Sequence, residues 1–412
     1  MLNLKNEFPI FKNASKILHG KEYPLCFLDT AATSQKPQCV IDAMTHGMTH
    51  IYGSVHRGAY TLSYEASEAY ENARAKVAEF IGPNVEPEQI IFTKNATEGL
   101  NILANGLSKL CLDNQSRIVT SVLEHHANLL PWQRAAAEYK CEIGYIDLNP
   151  HTLTLDSSTF DHQIQKHTKI LSIAHMGNVL GQINPIKDLI QKAKAVGAFV
   201  VLDCAQSMGV LDMNPLDLGV DAFVFSGHKL YGPTGIGVLV LKPHLGHKLE
   251  PLIVGGGMVS KVDLQGSSYA APPQKFEAGT PAFIEALGLA TSLQWINSIG
   301  RTKIYDHSCQ LASLFIQGIK NIPNIEIFSP QTGKETIISF HHTKLHSHDL
   351  ATAMDRYNVA LRAGHHCAWP LIHALNVQSL LRASFGAYCT EGDVAQAIEA
   401  LKQSVNDLRA LM

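Results

Sequence analysis

The feature that most constrains this chain is a series of short apolar runs with helical stretches between them. Residues 198–202 (Ala-Phe-Val-Val-Leu), 222–225 (Ala-Phe-Val-Phe) and 237–241 (Gly-Val-Leu-Val-Leu) contain no polar side chain. A strand with one solvated face alternates apolar and polar residues, whereas a strand buried on both faces reads as a continuous run. Runs at 89–93, 117–122 and 169–174 are of the same kind, with a few polar residues admitted. The segments 63–81, 95–109, 131–139 and 185–196 between them repeat at helical period, and the first stops at Gly82-Pro83. Strand and helix in alternation predict an α/β fold, with a mostly parallel sheet and helices on both faces.

The pattern changes after about residue 295. A long helix is expected over 302–319, short strands at 326–327 and 336–340, and helices over 347–357, with Ser347 as N-cap, and 391–411. The 412 residues therefore divide into a large domain, 20–297, and a smaller α+β C-terminal domain, 298–412, with 1–19 packing on the latter. The junction is placed at Asn297-Ser-Ile-Gly300. Lys plus Arg (33) nearly balances Asp plus Glu (36), so neither a nucleic-acid nor a membrane-surface partner is expected. No run of 18 apolar residues and no signal-peptide core is present. Eight cysteines without a Cys-x-x-Cys pair fit reduced thiols and a cytoplasmic location.

Ligands of α/β sheets gather outside the carboxyl ends of strands, and here those ends carry polar residues in a row. Asp203, in Asp203-Cys-Ala-Gln206, is either a capping or turn residue or a carboxylate for a cationic ring nitrogen. Lys229, in Ser226-Gly-His-Lys229, either snorkels to the surface or must pair, lose its proton or form an imine. The glycines from Gly232 to Gly237 imply a close backbone approach. Thr97, in Lys94-Asn-Ala-Thr-Glu-Gly-Leu-Asn101, marks either a plain helix cap or a phosphate cradle built with helix N–H groups. His125, in Glu124-His-His-Ala-Asn128, is a hydrogen-bonded loop residue or one that stacks on a flat ligand. Asn178, in Asn178-Val-Leu-Gly181, is a turn residue or an amide donor. Together the five describe a site for a flat, cationic, phosphorylated ring that bonds to a lysine, which is the chemistry of pyridoxal 5′-phosphate.

With these motifs the chain resembles the cysteine desulfurases of the aminotransferase class V family, specifically the SufS/CsdA group. The resemblance runs over nearly the whole length. It is carried by Leu28-Asp-Thr-Ala-Ala, Val55-His-Arg-Gly, Glu124-His-His-Ala-Asn, Phe225-Ser-Gly-His-Lys-Leu-Tyr-Gly-Pro-Thr-Gly-Ile-Gly, Phe276-Glu-Ala-Gly-Thr-Pro and Leu361-Arg-Ala-Gly-His-His-Cys-Ala. It implies a fold-type I, pyridoxal phosphate-dependent transferase that forms a homodimer with sites at the interface. Lys229 is then the lysine bonded to the cofactor, with His125 stacked on the ring. Asp203 pairs with the ring nitrogen, and Gln206 reaches the phenolic oxygen. Thr97, Ser226 and His228 hold the phosphate, joined by Thr280 from a second subunit. Asn178 and Arg382 take the substrate carboxylate.

Cys367 is either a buried structural cysteine or a thiol that visits the site, with neighbouring histidines favouring thiolate. The resemblance selects the second: L-cysteine becomes L-alanine while a persulfide forms on Cys367. The sulfur then passes to a SufE/CsdE-like acceptor protein, for iron–sulfur cluster or other sulfur-cofactor synthesis. L-Selenocysteine is a further substrate of relatives. No metal is expected, since the adjacent His365, His366 and Cys367 do not converge on one ion. The chain departs from the family at several positions. Cys204 stands where relatives have Gly and places an extra thiol near the cofactor. Gly177 replaces Ser, and Cys389 stands where Asn is common. Asn95-Ala-Thr lacks a second threonine, the Gly255 segment is one residue short, and no Asn follows Pro281.

Overall fold

The computed structural model describes residues 1–56, 58–330 and 332–410; Arg57 of the Val55 motif and Leu411 at the end of the last expected helix lie outside them. The apolar runs form one seven-stranded sheet. Its strands are β1 (Ile90–Thr93), β2 (Arg117–Ser121), β3 (Glu142–Ile146), β4 (Thr168–Ala174), β5 (Phe199–Asp203), β6 (Ala222–Ser226) and β7 (Gly237–Leu241). The order is β1-β7-β6-β5-β4-β2-β3, and β7 alone runs antiparallel to its neighbours.

Burial on both faces is visible residue by residue. Phe223, Phe225, Val238 and Val240 join one apolar cluster, while Ala222, Val224, Leu239 and Leu241 join another. The helices around the sheet include α1 (Gln38–His50), α2 (Thr61–Ile81), α3 (Ala96–Cys111), α4 (Leu130–Tyr139), α5 (Ile186–Ala195) and α6 (Phe283–Ile299), with α1 packed on α6. Leu100, Leu103 and Leu107 of α3 and Trp132 of α4 pack on the second face. Val77 and Phe80 of α2, Leu189 and Ile190 of α5, and Leu289 and Leu293 of α6 pack on the first.

Gly300, at φ +98°, breaks α6 from α7 (Arg301–Ile319). Beyond it lies a four-stranded antiparallel sheet of β8 (Ile325–Phe328), β9 (Ile337–His342), β10 (Arg362–Gly364) and β11 (Leu380–Ser384), in the order β8-β9-β11-β10. Helices α8 (Ser347–Asp355) and α9 (Glu391–Arg409) complete this unit. Ser347 is not the cap of α8: His346 is, through Nδ1, and the Ser347 hydroxyl instead donates to Ser379 O at 3.2 Å. The N-terminal segment is tied to this unit. Lys5 pairs with Asp393, Leu2 N donates to His307 Nδ1, and Asn358 Nδ2 donates to Ala14 O and Tyr23 O. Residue 20 falls in the turn of the hairpin Ser15–Leu18/Lys21–Pro24, and Cys26–Phe27 pairs in parallel with Val359–Ala360.

One buried ion pair fixes the loop that carries Thr280. Arg74, 1% exposed, donates from Nη1 and Nη2 to Glu277 at 2.7 and 2.9 Å. Glu277 also accepts from Phe92 N at 2.7 Å and Tyr70 Oη at 3.0 Å. Arg74 Nε also donates to the more exposed Glu71 at 2.8 Å, so removing Glu277 leaves the buried guanidinium with that carboxylate alone, a cost at the lower end of the about 3–5 kcal/mol of a broken buried pair. Glu277→Ala is therefore expected to lower the denaturant midpoint by that much stability with an unchanged slope. A loss below about 1 kcal/mol, the ordinary value of an exposed pair, contradicts the burial argument.

Candidate active site

Four adjacent strands of the parallel sheet, β6, β5, β4 and β2, end at one edge, and their exit loops line a single cavity of about 200 Å³. Thr97, His125, Asn178, Asp203, Gln206, Ser226, His228, Lys229 and Arg382 all line it. The convergence follows from strand order, because Asp203 lies level with Val224 in the β5/β6 register and both loops leave on the same side.

Asp203 and Lys229 form the polar floor. The Asp203 carboxyl is pushed up by burial, opposed by the Lys229 charge, and accepts from Ala205 N at 2.9 Å. Lys229 follows β6 in the turn Gly227–Lys229, and burial pulls its ammonium down to about 8, against the attraction of Asp203. Such an amine loses its proton near pH 8, well below an ordinary lysine.

His125 sits on the loop after β2. Its Nδ1 accepts from Ala127 N at 3.0 Å, which leaves the ring proton on Nε2. Burial, then the nearby Lys229 charge, pulls the imidazole down to about 3, so it is neutral. Beneath it Glu124 is fully buried and accepts from Ser121 Oγ (2.6 Å), Asn128 Nδ2 (2.7 Å) and Ala174 N (2.8 Å). Burial raises this carboxyl to about 8, with the Ser121 and Asn128 hydrogen bonds opposing the rise. The three bonds lock the His125 loop to the end of β4.

The start of α3 supplies the anion end. Asn95 caps the helix by accepting from Glu98 N at 3.0 Å, and Ser226 Oγ accepts from Ala96 N at 2.8 Å. The dense glycines now have a reason: a Cβ on Gly237 would lie 2.5 Å from the Asn95 Cα, so only glycine lets β7 pass under the helix start. Burial pulls His228 down to about 4 and keeps it neutral.

The opposite wall comes from the smaller sheet. Arg362 on β10 and Arg382 on β11 are register partners, and both line the cavity. Arg382 donates to Asn178 O at 2.8 Å and to Asp29 Oδ1 at 3.1 Å, while its buried Nε has no acceptor among the described residues. Asn178 Nδ2 donates to His366 O at 2.8 Å, which leaves one amide hydrogen for a ligand. Charge-assisted hydrogen bonds to a carboxylate are worth about 1.5–3 kcal/mol. Arg382→Ala is thus expected to raise the Michaelis constant roughly ten- to a hundredfold. The cofactor absorbance should change little, and the reverse pattern would contradict a carboxylate role.

Cys367 is half-buried and follows His366, which lines the cavity. Its negative form lies near enough to stabilise both the Lys229 and Arg382 cations. Cys204 is different from the expectation: its side chain is absent from the cavity wall, 0% exposed, and packs in the apolar cluster that contains Met208. Burial, then Asp203, pushes its thiol far up, so no extra reactive thiol lies beside the cofactor site. Cys389 is likewise buried, with its thiol pushed up to about 12 by burial. At Gly177, a Cβ would lie 2.1 Å from Gln182 Oε1: the Gln182 side chain fills the space a serine would need. Thr280 is exposed and lines a second cavity with Lys94, Glu98, Gly235 and Glu277, outside the Lys229 cavity of its own chain. Arg362, Asp29 and Glu124 are site residues that sequence reasoning did not single out, although each lies inside a quoted motif.

These residues suit pyridoxal 5′-phosphate. A buried carboxylate held by one amide and a buried lysine outside every ion pair of the described residues are costly alone. A ring that carries a protonated nitrogen and bonds the amine relieves both. The helix start with Ser226 and His228 matches the phosphate.

The aminotransferase class-V family model matches residues 26–397. A cysteine desulfurase of Serratia proteamaculans is 37% identical over 401 residues, 97% of each chain. Among solved structures, the cysteine desulfurase CsdA of Escherichia coli superposes with a TM-score of 0.89 at 32% identity. An apo cysteine desulfurase of Thermococcus onnurineus NA1 gives 0.91 at 34%, and each superposition covers 98% of both chains.

Proposed function

The chain belongs to the aminotransferase class-V family, and from its match to cysteine desulfurases over nearly its whole length we infer a cysteine desulfurase, which converts L-cysteine to L-alanine and retains the sulfur as sulfane sulfur. The single observation that carries the reading to particular residues is the placement of the Cys367 turn against the cavity of Lys229, Asp203, His125 and Arg382.

Pyridoxal 5′-phosphate would be held by Lys229, Asp203, His125, Gln206, Thr97, Ser226 and His228, and when bound supplies an electron sink for the substrate carbon skeleton. Arg382 and Asn178 orient the substrate carboxylate. The Lys229 amine, with its lowered proton affinity, takes the Cα proton and returns one to the carbon skeleton. His125, a neutral imidazole on the cavity wall, would stack on the cofactor ring. The Cys367 thiolate attacks the substrate sulfur: an S–S bond forms, the C–S bond breaks, and its electron pair stays with the carbon skeleton that leaves as alanine. The balance is L-cysteine plus Cys367–SH giving L-alanine plus Cys367–S–SH.

The persulfide is read as passing to a SufE/CsdE-like acceptor protein for iron–sulfur or other sulfur-cofactor synthesis. The half-buried Cys367 and the half-exposed Trp369 two residues on support access from outside. A homodimer in which Thr280 completes the partner's phosphate site is supported by its exposed position beside the exposed apolar Leu252 and Ile253. Alanine and sulfide formed in equal amounts from L-cysteine with a reducing thiol test the activity. Pyruvate and ammonia as products, or no reaction, would contradict it.

A further inference from the structure

We propose that His126 is a positioning residue that clamps the Cys367 turn; the proposal rests on the reading of Cys367 as the sulfur-accepting nucleophile. His126 reaches the turn with two atoms. Its backbone N–H donates to Cys367 O at 2.7 Å, and its Nε2 accepts from Trp369 N at 3.1 Å. The second bond requires the ring proton on Nδ1.

The turn needs holding. His366 and Cys367 lie at φ +52° and +56°, a left-handed conformation that residues with side chains keep only where the surroundings over-determine it. The N-terminal half is pinned by Asn178 Nδ2 to His366 O at 2.8 Å and by His366 Nε2 to Leu380 O at 3.1 Å. The C-terminal half is pinned by His126. Trp369 N opens the short helix Trp369–Ala374, so its amide lacks an intrahelical acceptor and the imidazole supplies one. The Trp369 ring stacks on His365 at 3.8 Å, which closes the far side of the turn.

His126 follows His125 in the chain, so one loop carries both the imidazole that lines the cavity and the clamp on the thiol turn. That loop is itself fixed by the three bonds to Glu124. The position of Cys367 in the smaller unit is thereby indexed to the floor of the site in the larger one.

The test uses the holoenzyme variants His126→Ala, His126→Asn and His126→Gln. A glutamine amide reaches the place of Nε2, whereas an asparagine amide reaches only that of Nδ1. His126→Ala and His126→Asn should lower alanine release roughly ten- to a hundredfold, the usual cost of misplacing a reacting group by about 1 Å, with cofactor absorbance and Michaelis constant nearly unchanged. Both should also speed alkylation of Cys367 by iodoacetamide, followed by peptide mass spectrometry. His126→Gln should return both readouts most of the way to wild type. Wild-type alkylation and turnover in His126→Ala, or a His126→Gln variant as impaired as His126→Ala, would overturn the clamp. Cys367→Ala run in parallel separates the two readings: alanine release at the wild-type rate there overturns the role of Cys367, while the alkylation of His126→Ala still reports on the clamp.

Discussion

Lys229→Ala is expected to lose the visible cofactor band of the wild-type protein and to lower alanine formation roughly 10³-fold or more, the combined weight of a covalent anchor and a general base. The amine is buried and makes no salt bridge among the described residues, and burial lowers its pKa to about 8 from the 10.5 of a free lysine. Only the neutral amine can bond a carbonyl carbon. Uptake of pyridoxal phosphate by the cofactor-free enzyme should therefore quicken as pH rises and level off above about 8. A rate that keeps climbing to the range of an ordinary lysine would show that the amine is not desolvated. Borohydride reduction followed by peptide mapping should place the cofactor on Lys229, and an adduct on another lysine removes the assignment.

Cys367→Ser is expected to keep the cofactor band and to bind L-cysteine, because none of the groups that line the cavity is altered. Alanine release should fall roughly 10³-fold or more, since a serine hydroxyl is scarcely ionised and is a poor nucleophile towards sulfur. Two core thiols serve as internal controls. Cys204 and Cys389 are buried, with thiols pushed up far from the thiolate range. Cys204→Ala and Cys389→Ala should keep alanine release within a few-fold of wild type, with loss confined to stability from the vacated volume, of order 1–3 kcal/mol. Abolished turnover in Cys204→Ala would mean that the buried thiol, not Cys367, carries the sulfur.

The cofactor half of the site is legible in the sequence because the parallel sheet writes itself plainly. Runs such as Ala222–Phe225 are apolar throughout, so their ends, and the polar residues waiting there, are sharply marked. The substrate half is harder to read. Arg362–Gly364 has three residues, and Leu380–Ser384 buries Arg382 at 1% exposure inside a strand of five. Neither shows a period, and the pairing that sets Arg362 opposite Arg382 is a tertiary fact. Helix α6 is apolar nearly all round, with ten buried residues in seventeen, and so lacks the one-sided stripe that marks an amphipathic helix. The departures show the same limit. Cys204 follows Asp203 in the chain, yet its side chain turns into the core. Gly177 is compensated by Gln182, five residues away, which only the fold brings into its space.

The central claim is that sulfur from L-cysteine is carried on Cys367. It is tested most directly by mass spectrometry of the wild-type enzyme given L-cysteine without acceptor or reductant, then alkylated and digested. The peptide bearing Cys367 should gain the mass of one sulfur atom, in proportion to the alanine released in the first turnover, and should lose it on addition of a thiol reductant. An unmodified Cys367 peptide after stoichiometric alanine release, or the added sulfur on the Cys204 or Cys389 peptide, would contradict the account.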